Sequence, residues 1–294
     1  MIEAPTANEP IMDRRTGVRL AHRGVPRWLQ QRLLILSALL LLAILLASIF
    51  AGTISPYDPI AQDLSSTLRP PSLEHPFGTD NFGRDIFSRT LHAAKLDLMI
   101  GVICVLAPMI IGVLFGCLAG YLGGGVDTVI MRTVDTFTAF PFLVLVIAII
   151  AIMGPGLTSM FVALTLAGWS AYARVVRSEI LVVKQSEYIH AARALGYSSL
   201  RIMFCHVLPN VISPAISFAM ADIVLVILST TALSFLGLGV QPPTPEWGSM
   251  IAEGRVYIMT AWWLVTLPGL AIVLVGLALS FIGDGMTDLL RIED

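Results

Sequence analysis

The spacing of charge constrains the fold of this 294-residue chain most, because several long intervals contain no Asp, Glu, Lys or Arg. A bilayer core about 30 Å thick is crossed by roughly 20 mainly apolar helical residues. Between Arg32 and Asp58 lie 25 uncharged residues and between Asp97 and Asp127 lie 29, so each interval predicts one span. The interval from Asp135 to Arg174 holds 38, and Gly154-Pro155-Gly156 divides it into two spans with turn chemistry. Val211 to Gly239 is broken only by Asp222, and one acid does not end a helix; a sixth stretch runs from about Ala261 to Asp284. The spans are expected at about 33–54, 97–121, 136–153, 157–174, 211–238 and 261–283, giving an all-α integral membrane protein with six transmembrane helices.

Composition agrees, with 56% apolar and 13% charged residues where soluble proteins carry about a quarter charged. Eighteen basic and 20 acidic side chains leave no basic excess for nucleic acid. The first apolar run is too long for a signal peptide and follows a 32-residue polar leader, so it is expected to stay as an anchor. Residues 1–30 read as a loosely ordered cytoplasmic tail, and 31–294 as one six-helix domain. With the N-terminus inside, 13 Lys and Arg fall on the cytoplasmic side and 5 outside, which favours that orientation and places both termini in the cytoplasm. Residues 175–210 then form a cytoplasmic loop, while 55–95 and 240–260 face outward. Cys104 and Cys117 fall about 20 Å apart along one helix, too far for a disulfide, and no metal cluster is encoded.

Within the cytoplasmic loop, Glu187 to Gly196 combines strong helix formers with a glycine at the C′ position. Tyr188, Ala191, Ala192 and Leu195 fall on one face. A second short helix is expected with Ser198 as its cap, Leu200, Met203 and Phe204 on its apolar side, and Pro209 as its stop. An alternative reading is an amphipathic helix lying on anionic membrane lipid.

The order His190-Ala191-Ala192, Gly196, His206, Leu208-Pro209 resembles the cytoplasmic loop of bacterial ABC importer permeases. That loop reads Glu-Ala-Ala, three residues, Gly, nine residues, Ile, one residue, Leu-Pro. His190 replaces the acid and His206 the isoleucine; Arg193 and Leu195 lie inside the frame. The resemblance implies a type I importer transmembrane domain whose loop docks on an ATP-hydrolysing partner. Outside, Gly78-Thr79-Asp80, two residues, Gly83-Arg84-Asp85 reads alone as an Asx-rich turn before a short amphipathic helix. The string Ser234 to Gly248, containing Pro242, Pro243, Glu246, Trp247 and Gly248, follows the fifth span. Both strings are similar to the oligopeptide, dipeptide and nickel branch of these permeases, and to its second, C-type subunit.

The chain contains two lysines, Lys95 and Lys184, and neither follows glycine, so a P-loop is excluded. The resemblance therefore implies a transport subunit that is no enzyme and binds no cofactor itself. Its implied partners are a related second permease, two ATPase subunits carrying ATP and Mg, and an external solute-binding protein. The implied activity is ATP-driven import of short peptides across the bacterial cytoplasmic membrane by alternating access. Nickel or another small solute is the alternative cargo, and an ATP-independent secondary transporter the alternative class.

Asp222 is the one acid deep in a predicted span, where charge is costly. It reads two ways: lining the pathway, where its charge would attract a peptide ammonium or a metal cation, or bonding a neighbouring helix or sitting protonated. His22, His75, His92, His190 and His206 read as polar surface groups, with His206 structural by resemblance. Met109, Met131, Met160, Phe140 and Phe142 read as bundle packing, Pro108 and Pro141 as kinks, and Gly123-Gly124-Gly125 as a hinge.

Overall fold

The computed structural model describes residues 27–291; residues 1–26 of the expected tail lie outside the described residues. Helix α1 is Arg27–Ile49 and α2 Ala51–Ile54. An external segment with one short 3-10 turn, Leu64–Ser66, leads to α3, Ile86–Leu122. Next come α4, Gly124–Thr138, α5, Phe142–Met153, and α6, Leu157–Val183. Two short helices follow, α7 at Glu187–Ala194 and α8 at Ser199–Ile202. A π-helical turn, Met203–Val207, runs into α9, Leu208–Phe235. Helix α10 is Trp247–Gly254 and α11 Trp263–Arg291. Among the described residues, five helices are long and apolar enough to cross a membrane, or six if the bent pair α4 and α5 forms one span.

Three elements differ from the expected boundaries. Helix α3 begins at Ile86, so the predicted external helix and the second span are one rod of 37 residues, about 55 Å long. Asp85 starts it by accepting the Ser88 N–H at 2.8 Å. Pro141 does more than kink. It separates α4 from α5 by a bend of 89°, because Phe140 before the proline is pushed out of helical geometry. The apolar stretch is thus broken, with only the 12 residues of α5 beyond the bend.

Helix α6 continues past Arg174 to Val183, where a loop was expected from residue 175. The charges in that stretch are paired on α4: Arg177 grips Asp127 through two bonds of 2.5 and 2.6 Å, and Arg174 reaches Asp135 at 3.1 Å. Pro209 does not stop the second loop helix either. The π turn carries the chain through it, with the Leu208 N–H donating to Met203 O, and Pro209 falls in the first turn of α9, where its missing N–H is tolerated.

The main seam joins α3 to α6. Gly112, Gly116 and Gly120 recur every fourth residue on α3 and meet α6 backbone or Cβ directly. A Cβ on Gly112 would lie 2.4 Å from Tyr172 Cβ, and one on Gly116 would lie 2.7 Å from Ala173 O. Small residues matter here because lipid supplies no hydrophobic force between helices, so close backbone approach supplies the packing. Gly125, in the first turn of α4, has open space around it. Gly116→Leu is expected to destabilise the permease fold by about 1–3 kcal/mol, while Gly125→Ala is expected to be near neutral. Thermal unfolding of the purified protein in detergent checks both.

Candidate functional site

Three regions hold the residues singled out in the sequence. At the end of α6, the segment α7–α8 folds back on the bundle. Gly196, at φ +79, ends α7 in the left-handed conformation that glycine adopts without strain. The Gly196 N–H donates to Arg193 O at 2.9 Å and the Tyr197 N–H to Ala192 O at 3.2 Å, a Schellman closure. Ser198 caps α8 by accepting the Arg201 N–H. Of the face noted in the sequence only Ala192 is buried: it turns inward with Ile189 beside Ile202, Met203 and Val207, against Val176, Ile180 and Cys117, so it is not open to a partner as Ala191 is. Tyr188, Ala191 and Leu195 stay outside, with Leu195 74%, Leu200 64% and Phe204 50% exposed. Met203 alone of the three apolar residues predicted for the second helix is buried.

Polar groups fasten this segment. Asn210 Nδ2 donates to Tyr188 Oη at 3.1 Å and to His206 O, joining α7 to α9. Arg193 lies over the Tyr121 ring at 5.9 Å and Arg201 over Tyr197 at 4.4 Å. Glu187 opens α7, His190 is exposed, Leu208 is half-buried and Pro209 exposed. His206 faces the Tyr197 ring, and its buried Nδ1 has no partner among the described residues.

The second region is a cavity of about 500 Å³ in which Asp222 is the one Asp, Glu, Lys, Arg or His among the lining residues. Asp222 is the fifteenth of the 28 residues of α9, and its Oδ2 accepts the Tyr172 hydroxyl of α6 at 2.8 Å. Asp222 thus both bonds a neighbouring helix and lines this cavity. Tyr172 was not singled out in the sequence, since nothing local pairs it with a residue 50 positions away. Phe140 and Phe142, read as bundle packing, instead flank the break at Pro141 and line this cavity.

The third region is the external cap, where both strings noted in the sequence fold into a buried polar network. Gly78 and Gly83 turn the chain at positive φ. Thr79 Oγ1 accepts the Arg69 N–H at 2.8 Å and donates to Ser66 O. Asp80 accepts the Phe82 and Arg84 N–H groups and the Arg84 Nε at 2.5 Å, while Arg84 Nη2 reaches Glu253 at 2.6 Å. His75 is buried, contrary to its surface reading, with Nδ1 2.9 Å from Asp85. Nearby, the Ser65 and Ser66 hydroxyls hold the exposed Asp63 carboxyl down at about 2.

The second string closes over the first. Glu246 caps α10 by accepting the Gly248 and Ser249 N–H groups at 2.9 and 2.7 Å. The Trp247 N–H donates to Asp97 Oδ2, and its ring N–H to Thr90 O, both at 3.1 Å. A Cβ on Gly248 would lie 2.5 Å from Thr231 O. Pro242-Pro243 is a cis peptide, and Pro243 O accepts from buried Arg89. Burial pushes the Glu246 carboxyl up. The bond from the Trp247 N–H to Asp97 was not foreseen, because the two lie 150 positions apart in the chain.

Residues 112–291 match the model of the family described as "Binding-protein-dependent transport system inner membrane component". The chain belongs to this family. Residues 20–71 also match the N-terminal TM domain of oligopeptide transport permease C. The chain is thus a multi-pass inner-membrane permease component of a binding-protein-dependent ABC transporter, a type that works with ATPase and binding-protein partners. Family membership sets aside the ATP-independent secondary transporter.

The permease is 43% identical over 258 residues to the di/tripeptide transport system permease protein DppC of Pseudomonas aeruginosa, covering 86% of this chain and 85% of that protein. It is 39% identical to the dipeptide permease DppC of Alkalihalophilus pseudofirmus, covering 96% and 92%. It is 40% identical to the glutathione transport system permease protein GsiD of Pectobacterium atrosepticum, covering 90% and 88%. Among solved structures, inward-facing MetNI methionine ABC transporter chains share the fold, with TM-scores of 0.56 and 0.58 at 18% and 17% identity. They cover 70% and 71% of this chain and 96% and 98% of theirs.

Arg84→Met in the external cap strands the buried Asp80 carboxylate and is expected to cost about 3–5 kcal/mol. Arg84→Lys is expected to recover only part, because a lysine cannot reproduce the guanidinium's separate bonds to Asp80 and Glu253. Thermal unfolding of the two purified variants measures the difference.

Proposed function

We propose that this permease imports short peptides, driven by two ATPase subunits that grip the segment α7–α8 from the cytoplasm. The observation that carries the reading is the division of that segment into two sides. Ile189, Ala192, Ile202, Met203 and Val207 are buried against the bundle, while Leu195, Leu200 and Phe204 point away from it. Apolar side chains held outward on a fastened helix–turn–helix suit the cleft of a partner protein. Among the buried side's neighbours are Val176 and Ile180 of α6 and Val211 and Ala215 of α9, so a push on the segment acts on both helices.

The excess of Lys and Arg on the same side as this segment supports a cytoplasmic location for it and for both termini. A flat lipid-surface role is less well supported, because α7 is fixed to α9 by Asn210 and its C-terminal end is closed by the Gly196 turn. A related second permease, placed beside this one, would complete the pathway beneath an external solute-binding protein. ATP and Mg would be held by the ATPase subunits. Their closing and reopening would alternate the bundle between outward and inward access, a switch between two states that differ by a few kcal/mol.

Peptide cargo is supported by the three relatives, which are named for di/tripeptides, dipeptides and glutathione. The Asp222 cavity, at about 500 Å³, falls within the roughly 300–1,000 Å³ usual for small-molecule sites. Nickel is less well supported, since these relatives carry peptide names.

Leu195→Glu is expected to leave the permease folded and inserted while weakening retention of the ATPase subunits by about 2 kcal/mol or more, roughly 30-fold. Gly196→Val, which forces a branched side chain into φ +79, should act in the same direction. Co-purification of the ATPase subunits with tagged permease checks both, and undiminished retention in the Leu195→Glu variant would remove the docking role.

A further inference from the structure

The geometry points to Asp222 as the residue that receives the N-terminal ammonium of the peptide on its way through the bundle, with Tyr172 positioning it. This deepens the peptide-import reading and rests on it. Three observations meet at the site. First, Asp222 lines the cavity as its one Asp, Glu, Lys, Arg or His, and no Arg, Lys or His among the described residues pairs with it. A carboxylate at mid-span without a cationic partner is costly unless it serves a ligand or carries a proton.

Second, one of its two oxygens is already occupied. Tyr172 Oη donates to Oδ2 at 2.8 Å, and Tyr172 is itself fully buried, its Cβ against Gly112 at the α3–α6 seam. The tyrosine cannot swing away without opening that seam. The carboxylate is therefore held in one orientation, and Oδ1 has no donor among the described residues.

Third, the other walls suit a cation. Phe137, Phe140 and Phe142 line the same cavity, together with Ser170 and Ser229. Aromatic faces attract an ammonium through their quadrupole, and this attraction grows when water is excluded. A carboxylate, three phenylalanine rings and two hydroxyls form a set that recognises a primary ammonium while leaving the peptide side chains unread. Such a site tolerates different residues in the cargo, because every unblocked peptide brings the same charged end. The break at Pro141 contributes by turning Phe140 and Phe142, on either side of it, toward this space.

The test uses the complete transporter with its ATPase subunits, second permease and binding protein, reconstituted in proteoliposomes with labelled L-alanyl-L-alanine as the probe. Uptake per ATP hydrolysed is measured for wild type, Asp222→Asn, Asp222→Glu and Tyr172→Phe. Asp222→Asn is expected to lower this ratio about tenfold or more, since it removes a charged hydrogen-bond acceptor. Asp222→Glu is expected to keep most of it. Tyr172→Phe is expected to raise the KM for the peptide more than it lowers kcat, a split that loss of packing alone would not produce. An Asp222→Asn transporter with the wild-type ratio overturns the inference while leaving peptide import standing. Equal losses in Asp222→Asn and Asp222→Glu also overturn it, marking a packing role. A wild-type complex that does not import the dipeptide takes down the peptide reading and this inference together.

Discussion

The close seam between α3 and α6 supports every functional feature of this permease. Helices in lipid gain nothing by hiding apolar surface from a solvent that is itself apolar, so their association rests on packing and on internal polar bonds. Gly112, Gly116 and Gly120 let α6 come within direct reach of the α3 backbone. At the first of these contacts stands Tyr172, which holds Asp222 at the cavity. Near the last stands Ile180, which belongs to the same core as Ile189 and Ala192 of α7. One packed interface therefore carries the cavity at its middle and the α7–α8 segment at its end.

The bent pair of α4 and α5 adds a different element. Helix α4 is tied to α6 by Arg177–Asp127 and Arg174–Asp135, while α5 turns away at 89° after Pro141. The break puts aromatic rings on the cavity wall and leaves α5 free of those ion pairs. At the opposite end of the molecule, the cap encloses a buried cluster of charged groups. Arg84 and Arg89 are 2% and 1% exposed, and the groups around them are anchored to backbone. Burying charge is costly unless it is paired, and the rigid arrangement of the two strings brings Arg84 to both Asp80 and Glu253. The cap is better suited to holding α3, α10 and α11 in fixed relation than to chemistry.

Much of this was legible in the residues. Charge-free intervals located the apolar stretches, the Gly-Pro-Gly turn divided the central one, and Gly196 at the end of a helix-forming run marked the α7 turn. Asp222 stood out because a lone acid within an apolar stretch is rare. The Gly112, Gly116, Gly120 repeat was also present to be read, as small residues at a spacing of four. What misled was the assumption that charge ends a span. Arg174 and Arg177 lie within α6 because Asp135 and Asp127 wait on α4, and α3 extends outward past Lys95 and Asp97 into the external cap. Pro209 misled similarly, since a π turn accommodates the missing N–H without ending the helix.

The linear order of residues by itself determined the membrane class, the approximate crossings and the two-helix segment between the fourth and fifth. Those depend on local quantities: the apolar length needed to cross lipid, the backbone angles open to glycine and proline, and the count of charges on each side. The tertiary structure alone decided which face of α7 is outward, that Tyr172 meets Asp222 across 50 positions, and that Asp97 accepts from Trp247 across 150. No periodicity encodes such pairings, because they arise from how whole helices pack, and packing in lipid is set by the summed fit of many small contacts.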